Sequence, residues 1–341
     1  MPKPWAGGWN PITPPIFLKL NVNLQMRKFK AAVVQAAPVS FDVPKTLEKL
    51  NDLSIDAASS GARLAVFPEA FVSAYPRGLD FGARVGSRTA EGRDWFRKYH
   101  DASIDIPGPE VEFMSKVAKA NKLLLVVGVI ERDGGTLYCT ILFFGPDGTY
   151  LGKHRKLMPT ASERLVWGFG DGSTMPVYKT ELGNVGSVIC WENYMPLLRT
   201  AMYSKGIELY CAPTASFRET WIPTMQHIAM EGGCFVLSCN QFVRRSDYPD
   251  DYPLDNESTA DDILSSGGSC IVSPSGEILV GPYYEGEKVL IADLDMQDIQ
   301  RFKYDFDVVG HYSRPDIFKL HVNESEQNIV TSHKMTDSSD R

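Results

Sequence analysis

Cys190 closes the apolar run VGSVIC and is followed at once by Trp-Glu-Asn and then by a helical pattern. A thiol at the end of a strand, near the N–H groups that open a helix, can have its pKa lowered and can face a held oxyanion. That makes it a candidate nucleophile; the alternative is a small buried hydrophobe, as most free cysteines are. Glu69 has the same placement, directly after LAVF-Pro. An acid set between Pro68 and the apolar Ala70-Phe71 is partly desolvated, which raises its pKa toward that of a general base. The alternative is a turn or capping carboxylate. Lys156 ends the basic run Lys153, Arg155, Lys156, where the chain turns apolar again at Leu-Met-Pro. Carried inward, its compact ammonium would stabilise negative charge developing in a reaction, and Glu163 could orient it. Left outside, the same run is a solvated basic loop. No local spacing links positions 69, 156 and 190. What joins them is that each follows or closes a strand of one alternating pattern.

Those strands and the elements between them must do the positioning. Short apolar, β-branched runs predict strands over 30–38, 63–67, 123–132, 136–145 and 184–192. The Asp-Gly-Gly at 133–135 reads as a hairpin turn between two of them. Leu47, Leu50, Ile55 and Ala58 recur at helical spacing and predict a helix over 46–61, stopped by Gly61. Further helices are expected over 110–122, 196–206 and 219–232, with strands IELYCAP and CFVLSCN around the last. The stretch 265–295 reads as strand, turn, strand, strand. Helices flank some strands and hairpins join others, so the sheets are mixed. Helices on one face of each sheet and a second sheet on the other give the expected α/β class, a four-layer αββα sandwich.

The chain has 341 residues, 43% hydrophobic and 23% charged, with a net charge of −7. These are globular proportions, and the acidic balance argues against nucleic acid as a partner. Six cysteines without a C-x-x-C argue against a disulfide scaffold or a zinc knuckle, so reduced thiols and a cytoplasmic setting are expected. LLLVVGVI (123–130) falls far short of the ~20 residues of a membrane helix, and no membrane association is expected. Residues 1–27 read as an irregular extension without a signal-peptide pattern, and 323–341 as a polar, mobile tail. GFGDGS (168–173) lacks the strand-to-helix context and the Gly-Lys-Ser/Thr of a phosphate loop. His227 reads as a packed, hydrogen-bonded histidine rather than a site residue. His100 offers only weak grounds for a Cys–His dyad. Trp191 and Tyr194 flank the candidate nucleophile; Trp191 is expected to line the site.

Three blocks carry a family resemblance: FPEAF with YPRG (67–78), KHRKLMPT followed by ERLVWGFGDGST (153–174), and ICWEN (189–193). In this order they resemble the nitrilase branch of the carbon–nitrogen hydrolase superfamily. The likeness runs from about Lys28 to about Val322, through GIELYCAPT, EGGCFVLS and VGHYSRPD. GFGDGST and NQFVRRSDYP (240–249) are most similar to the plant-type branch acting on β-cyanoalanine. The resemblance implies one nitrilase domain over 28–322 and a Glu69–Lys156–Cys190 triad working without metal or organic cofactor. Glu69 would be the base, Lys156 the cationic stabiliser, Cys190 the nucleophile and Glu163 a second, orienting glutamate. It also implies a small nitrile as substrate, and dimers that could wind into helical filaments. Arg244 and Arg245, with Asp247, are candidates for gripping a zwitterionic nitrile, against the alternative of a solvated loop. Other activities of the superfamily, on amides or carbamoyl groups, would use the same triad.

Overall fold

The computed structural model describes residues 28–216, 218–254, 258–328 and 330. The expected extension over 1–27 and the end of the tail lie outside them. The beginning of the tail runs along the surface, where the Gln327 amide donates to Asp171 Oδ2 (2.8 Å) and Lys205 pairs with Glu324 (2.7 Å).

Two sheets form the centre. In the first, strands β1 (Lys28–Gln35), β2 (Ala62–Val66) and β3 (Leu124–Asp133) run parallel. Strands β4 (Thr136–Phe144) and β5 (Tyr150–Arg155) continue it in antiparallel fashion. The second sheet holds β6 (Val177–Thr180), β7 (Gly183–Ser187), β8 (Leu209–Thr214), β9 (Phe235–Asn240), β10 (Ser269–Val272) and β11 (Ile278–Tyr283). Its strands β7, β8 and β9 are parallel neighbours. The last strand, β12 (Lys288–Asp295), returns to the first sheet and pairs antiparallel with β1.

Period-two alternation sorts the side chains into layers. Ala31, Val33, Leu64, Val66, Leu124 and Val126 point to the central layer, where they share a core with Val185, Leu209, Cys211, Phe235 and Leu237 of the second sheet. The alternate positions Ala32, Val34, Ala65, Leu125 and Val127 face outward onto helices α1 (Val43–Ser59) and α3 (Pro109–Asn121). On the far side, Tyr210, Ala212 and Val236 face α4 (Pro196–Ser204) and α5 (Trp221–Gly232). The αββα order expected from the sequence is the observed one. Helix α1 starts where Asp42 accepts from the Lys45 amide (3.1 Å) and Pro44 presets the first turn. Leu50 on its inner face is fully buried, so truncating it to Ala costs about 2–5 kcal/mol.

Strand β6 and a helix over Gln297–Lys303 also form where no element was expected, and two further differences are instructive. Helix α2 (Ala90–Asp101) lies in a stretch with no expected element; Thr89 caps it, but only Gly92, Trp95 and Tyr99 are buried, too sparse an apolar stripe to stand out. The run ending in Lys156 is not a basic loop but strand β5. Its charges alternate: Lys153 and Arg155 reach across β4 to Glu131 on β3, while His154 and Lys156 turn inward and are buried.

Candidate active site

Strands β2 and β5 point the same way in the first sheet. Glu69 lies three residues beyond the end of β2, and Lys156 immediately follows β5. Cys190 lies three residues beyond β7 in the facing sheet. All three therefore emerge beyond strand carboxyl ends, where α/β sheets place ligands.

Each is held by local backbone design. The 68–70 segment crosses close over β3 at Gly128, where a Cβ would lie only 2.0 Å from the Pro68 carbonyl and 2.8 Å from Glu69 Cα. Gln241 Nε2 donates to the Glu69 carbonyl at 2.9 Å. The Lys156 amide donates to Cys139 O (2.8 Å), extending the β4–β5 pairing by one residue. Cys190 opens a 3-10 turn over Cys190–Tyr194 with φ of +50°, a conformation unfavourable for a residue with a Cβ. Asn193 Nδ2 clamps that turn by donating to Cys190 O (2.8 Å) and Val188 O (2.9 Å).

The side chains then meet. Lys156 Nζ donates to Glu69 Oε1 at 2.6 Å and to Glu163 Oε2 at 2.7 Å. Glu163 also accepts from Tyr75 OH (2.7 Å) and from the Thr160 amide (2.6 Å). Lys156 and Glu69 are buried to 1% exposure or less, and Cys190 is 4% exposed. Thr214 Oγ1, at the end of β8, donates to Cys190 Sγ at 3.1 Å. The second Glu69 oxygen, Oε2, is buried without a conventional hydrogen-bond partner among the described residues. A cavity of about 350 Å³, lined by Tyr75, Leu79, Phe81, Glu163 and Trp167, adjoins the Glu163 side of the cluster. A cleft of about 380 Å³ around Arg63, Lys122 and Lys179 opens at the opposite strand ends, away from these groups.

Electrostatics separate the roles open to the three. Burial pushes the Glu69 carboxyl up, against the pull of the Lys156 ammonium. Burial works against the charge on Lys156, but Glu69, Cys190 and Glu163 outweigh it and hold the lysine well above its ordinary value. Burial also drives the Cys190 thiol up to about 12, with Glu69 and Glu163 adding and Lys156 and Thr214 opposing. The helix-start placement was expected to lower the thiol. It does not, because desolvation and two carboxylates exceed one ammonium. The resting group is a thiol, and a base beside it is needed to make it a thiolate.

The structure brings Glu69, Lys156, Glu163 and Cys190 together. Trp191, next to the thiol, is 38% exposed, with the Arg218 guanidinium over its ring at 4.9 Å and Tyr194 edge-on at 5.4 Å. His227 is not packed: it lies on the exposed face of α5, 3.7 Å from Glu231. His100 contacts Gly134 O (2.9 Å), in the turn that follows β3, six residues beyond the Gly128 crossing of the segment that carries Glu69. Arg245 donates to the carbonyls of Tyr248, Pro249, Asp250 and Tyr252, and Asp247 accepts from the Arg244 amide, so this cluster organises its own loop. GFGDGST likewise builds the lysine's surroundings: the Gly170 amide donates to Lys156 O and Thr174 O accepts from His154. Sequence reasoning missed Thr214, Tyr75, Cys139, whose thiol is 3.5 Å from Glu69 Oε1, and the buried pair His154–Glu192. A histidine inside a charged run and a glutamate two residues past the thiol were the available signals.

An αββα sandwich with buried carboxylate, ammonium and thiol at one end of its strands has the architecture of enzymes that hydrolyse carbon–nitrogen bonds. The carbon-nitrogen hydrolase model matches residues 30–304, and the chain belongs to that family. It is 57% identical to a bifunctional nitrilase/nitrile hydratase of Lupinus angustifolius, over 93% of each chain. It is 56% identical to an aliphatic nitrilase of Sinorhizobium fredii, over 90% of this chain and 99% of the other. A carbon–nitrogen hydrolase structure from Helicobacter pylori superposes with a TM-score of 0.68 at 20% identity, over 86% of this chain and 97% of that one.

Proposed function

We propose that this enzyme is a nitrilase that converts a small polar nitrile to its carboxylic acid and ammonia, and releases some amide. The observation that carries the reading is the buried contact of Glu69, Lys156 and Glu163 beside Cys190, in a chain that shares more than half its residues with nitrilases. Glu69 takes the Cys190 proton as sulfur adds to the nitrile carbon, and the proton passes to nitrogen, giving a thioimidate. Lys156 faces the charge that develops there. Water, losing its proton to Glu69, adds to the same carbon. Expulsion of ammonia leaves a thioester, and a second water releases the acid and restores the thiol. Expulsion of the thiolate from the same tetrahedral intermediate gives the amide instead. Glu163, with Tyr75 and the Thr160 amide on it, fixes the ammonium. Trp191 bounds the entrance.

3-Cyanoalanine is the first candidate substrate. Its support is the likeness of GFGDGST and NQFVRRSDYP to the β-cyanoalanine branch; the relatives' identities do not separate it from aliphatic nitriles, at 57% and 56%. The test compares kcat/KM for 3-cyanoalanine, phenylacetonitrile and a simple aliphatic nitrile, with aspartate, asparagine and ammonia measured as products. The reading expects 3-cyanoalanine to lead and both amino acids to form. Preference for another nitrile would change the substrate and leave the triad standing, whereas amides cleaved and no nitrile consumed would overturn the nitrilase reading. The enzyme works as a homo-oligomer, a dimer that can extend into a filament. Leu197 on α4 and Met230 on α5, 67% and 46% exposed, mark the outer helical faces that would pair. Sedimentation showing only monomer at micromolar concentration would refute this.

A further inference from the structure

Two residues after Cys190 and two residues before Lys156, the chain buries a carboxylate and an imidazole against each other. Glu192 Oε2 and His154 Nε2 are 3.0 Å apart, with exposures of 1% and 0%. Among the described residues, the other partners of the Glu192 carboxylate are backbone donors from the two reacting segments. Its Oε2 accepts from the Ile189 amide (2.8 Å), beside the nucleophile, and its Oε1 accepts from the Leu157 amide, beside the lysine. His154 Nδ1 reaches the Thr174 carbonyl at 2.6 Å. A carbonyl only accepts, and a carboxylate already taking two amides is an acceptor too, so the ring carries a proton on both nitrogens. The arrangement is a buried, charge-assisted bridge between strand β5 of the first sheet and the 3-10 turn that follows β7 of the second.

We infer that the His154–Glu192 pair is a positioning device that fixes the spacing between Lys156 and Cys190. The two belong to different sheets, and the 3-10 turn that carries Cys190 is strained at that residue. The Asn193 clamp closes the turn on itself but leaves it free to move relative to the lysine segment. Glu192 removes that freedom by holding Ile189 and Leu157 on the two oxygens of one rigid carboxylate. His154 in turn fixes the carboxylate and ties it to the 171–174 loop that backs Lys156. Neither residue touches the reacting atoms.

The inference rests on the proposed roles of Lys156 and Cys190, and its test separates the two. Glu192→Gln, His154→Gln and the double variant are compared by kcat per labelled Cys190, by KM, and by the rate at which iodoacetamide alkylates Cys190, which needs no nitrile. A misplacement of about 1 Å at reacting groups costs about 100-fold, so each single variant should lose ~10- to 100-fold in kcat per site with KM little changed. Alkylation should slow as well. In the double variant one amide can face the other, and its loss should be smaller than the product of the single losses. A purely structural role predicts lower stability and fewer active molecules, with kcat per labelled site intact. That result, or single losses that multiply in the double variant, would overturn the inference. Should Glu192→Gln fail to fold, Glu192→Asp keeps the charge while shortening the reach to both amides, and should show the same loss of kcat per site.

Discussion

Gly128→Ala is expected to disable the enzyme without touching any reacting group. An added Cβ would sit 2.0 Å from the Pro68 carbonyl and 2.8 Å from the Ala70 amide and Glu69 Cα, all backbone atoms that cannot swing aside. Ordinary contact begins at 3.4 Å, so the Pro68 carbonyl must withdraw by 1.4 Å. The segment is anchored on its far side, where the Val72 amide donates to Gly128 O at 3.0 Å, so the displacement falls on Glu69. Moving a positioned base by about 1 Å costs about 100-fold in rate, or about 2.7 kcal/mol of activation free energy. Overpacking should also cost about 1–3 kcal/mol of stability. Gly128 is not in the left-handed region, so the effect is steric rather than conformational. The assay is kcat per titrated Cys190, at a temperature well below the melting transition of the variant. A variant that melts normally and turns over within threefold of the parent would refute the claim that this glycine sets the position of Glu69.

Lys156→Arg should lose at least ~100-fold in kcat, because a planar fork cannot replace a compact ammonium between two carboxylates; near-parental turnover would remove the lysine from the mechanism. The acid limb of kcat/KM should lie above the ordinary carboxylate value of 4.5, because burial raises Glu69 and the base works only when deprotonated; activity undiminished down to pH 4.5 would contradict this. Cys139→Ala removes a weak donor at 3.5 Å from Glu69 Oε1, so the acid limb should move to still higher pH; movement the other way would refute the contact. Burial would raise Glu131, but hydrogen bonds from Arg155 and Lys153 hold it below 4.5. Its contribution to stability is therefore complete above the unfolded value and lost as pH falls through the folded one, and Glu131→Gln should flatten that part of the acid-unfolding curve. An unchanged slope in the variant would contradict it.

The layers and most elements were legible because a strand in this sandwich alternates between two apolar environments, and Ala31–Val34 or Leu124–Val127 show that alternation undisturbed. The strand carrying the lysine was not. Lys153 and Arg155 find their carboxylates on β3, so a charge run that looks solvated is satisfied across the sheet. Glu69, Lys156 and Cys190 could each be picked out by their place after a strand, but nothing local tied them together; the sheet directions do. The thiol's raised pKa was unreadable, because it depends on how deeply the turn is buried and on two carboxylates distant in sequence. Arg244 and Arg245 misled for the reverse reason: their charge looked available until the carbonyls of 248–252 and Asp261 accounted for it.

Covalent chemistry at Cys190 is the centre of this account, and mass spectrometry of enzyme quenched during turnover of 3-cyanoalanine tests it most directly. The account predicts a substrate-derived adduct on the peptide containing Cys190, as thioimidate or thioester, and its disappearance together with turnover in Cys190→Ala. An adduct on Cys139 or another cysteine, or turnover surviving in the alanine variant, would contradict it.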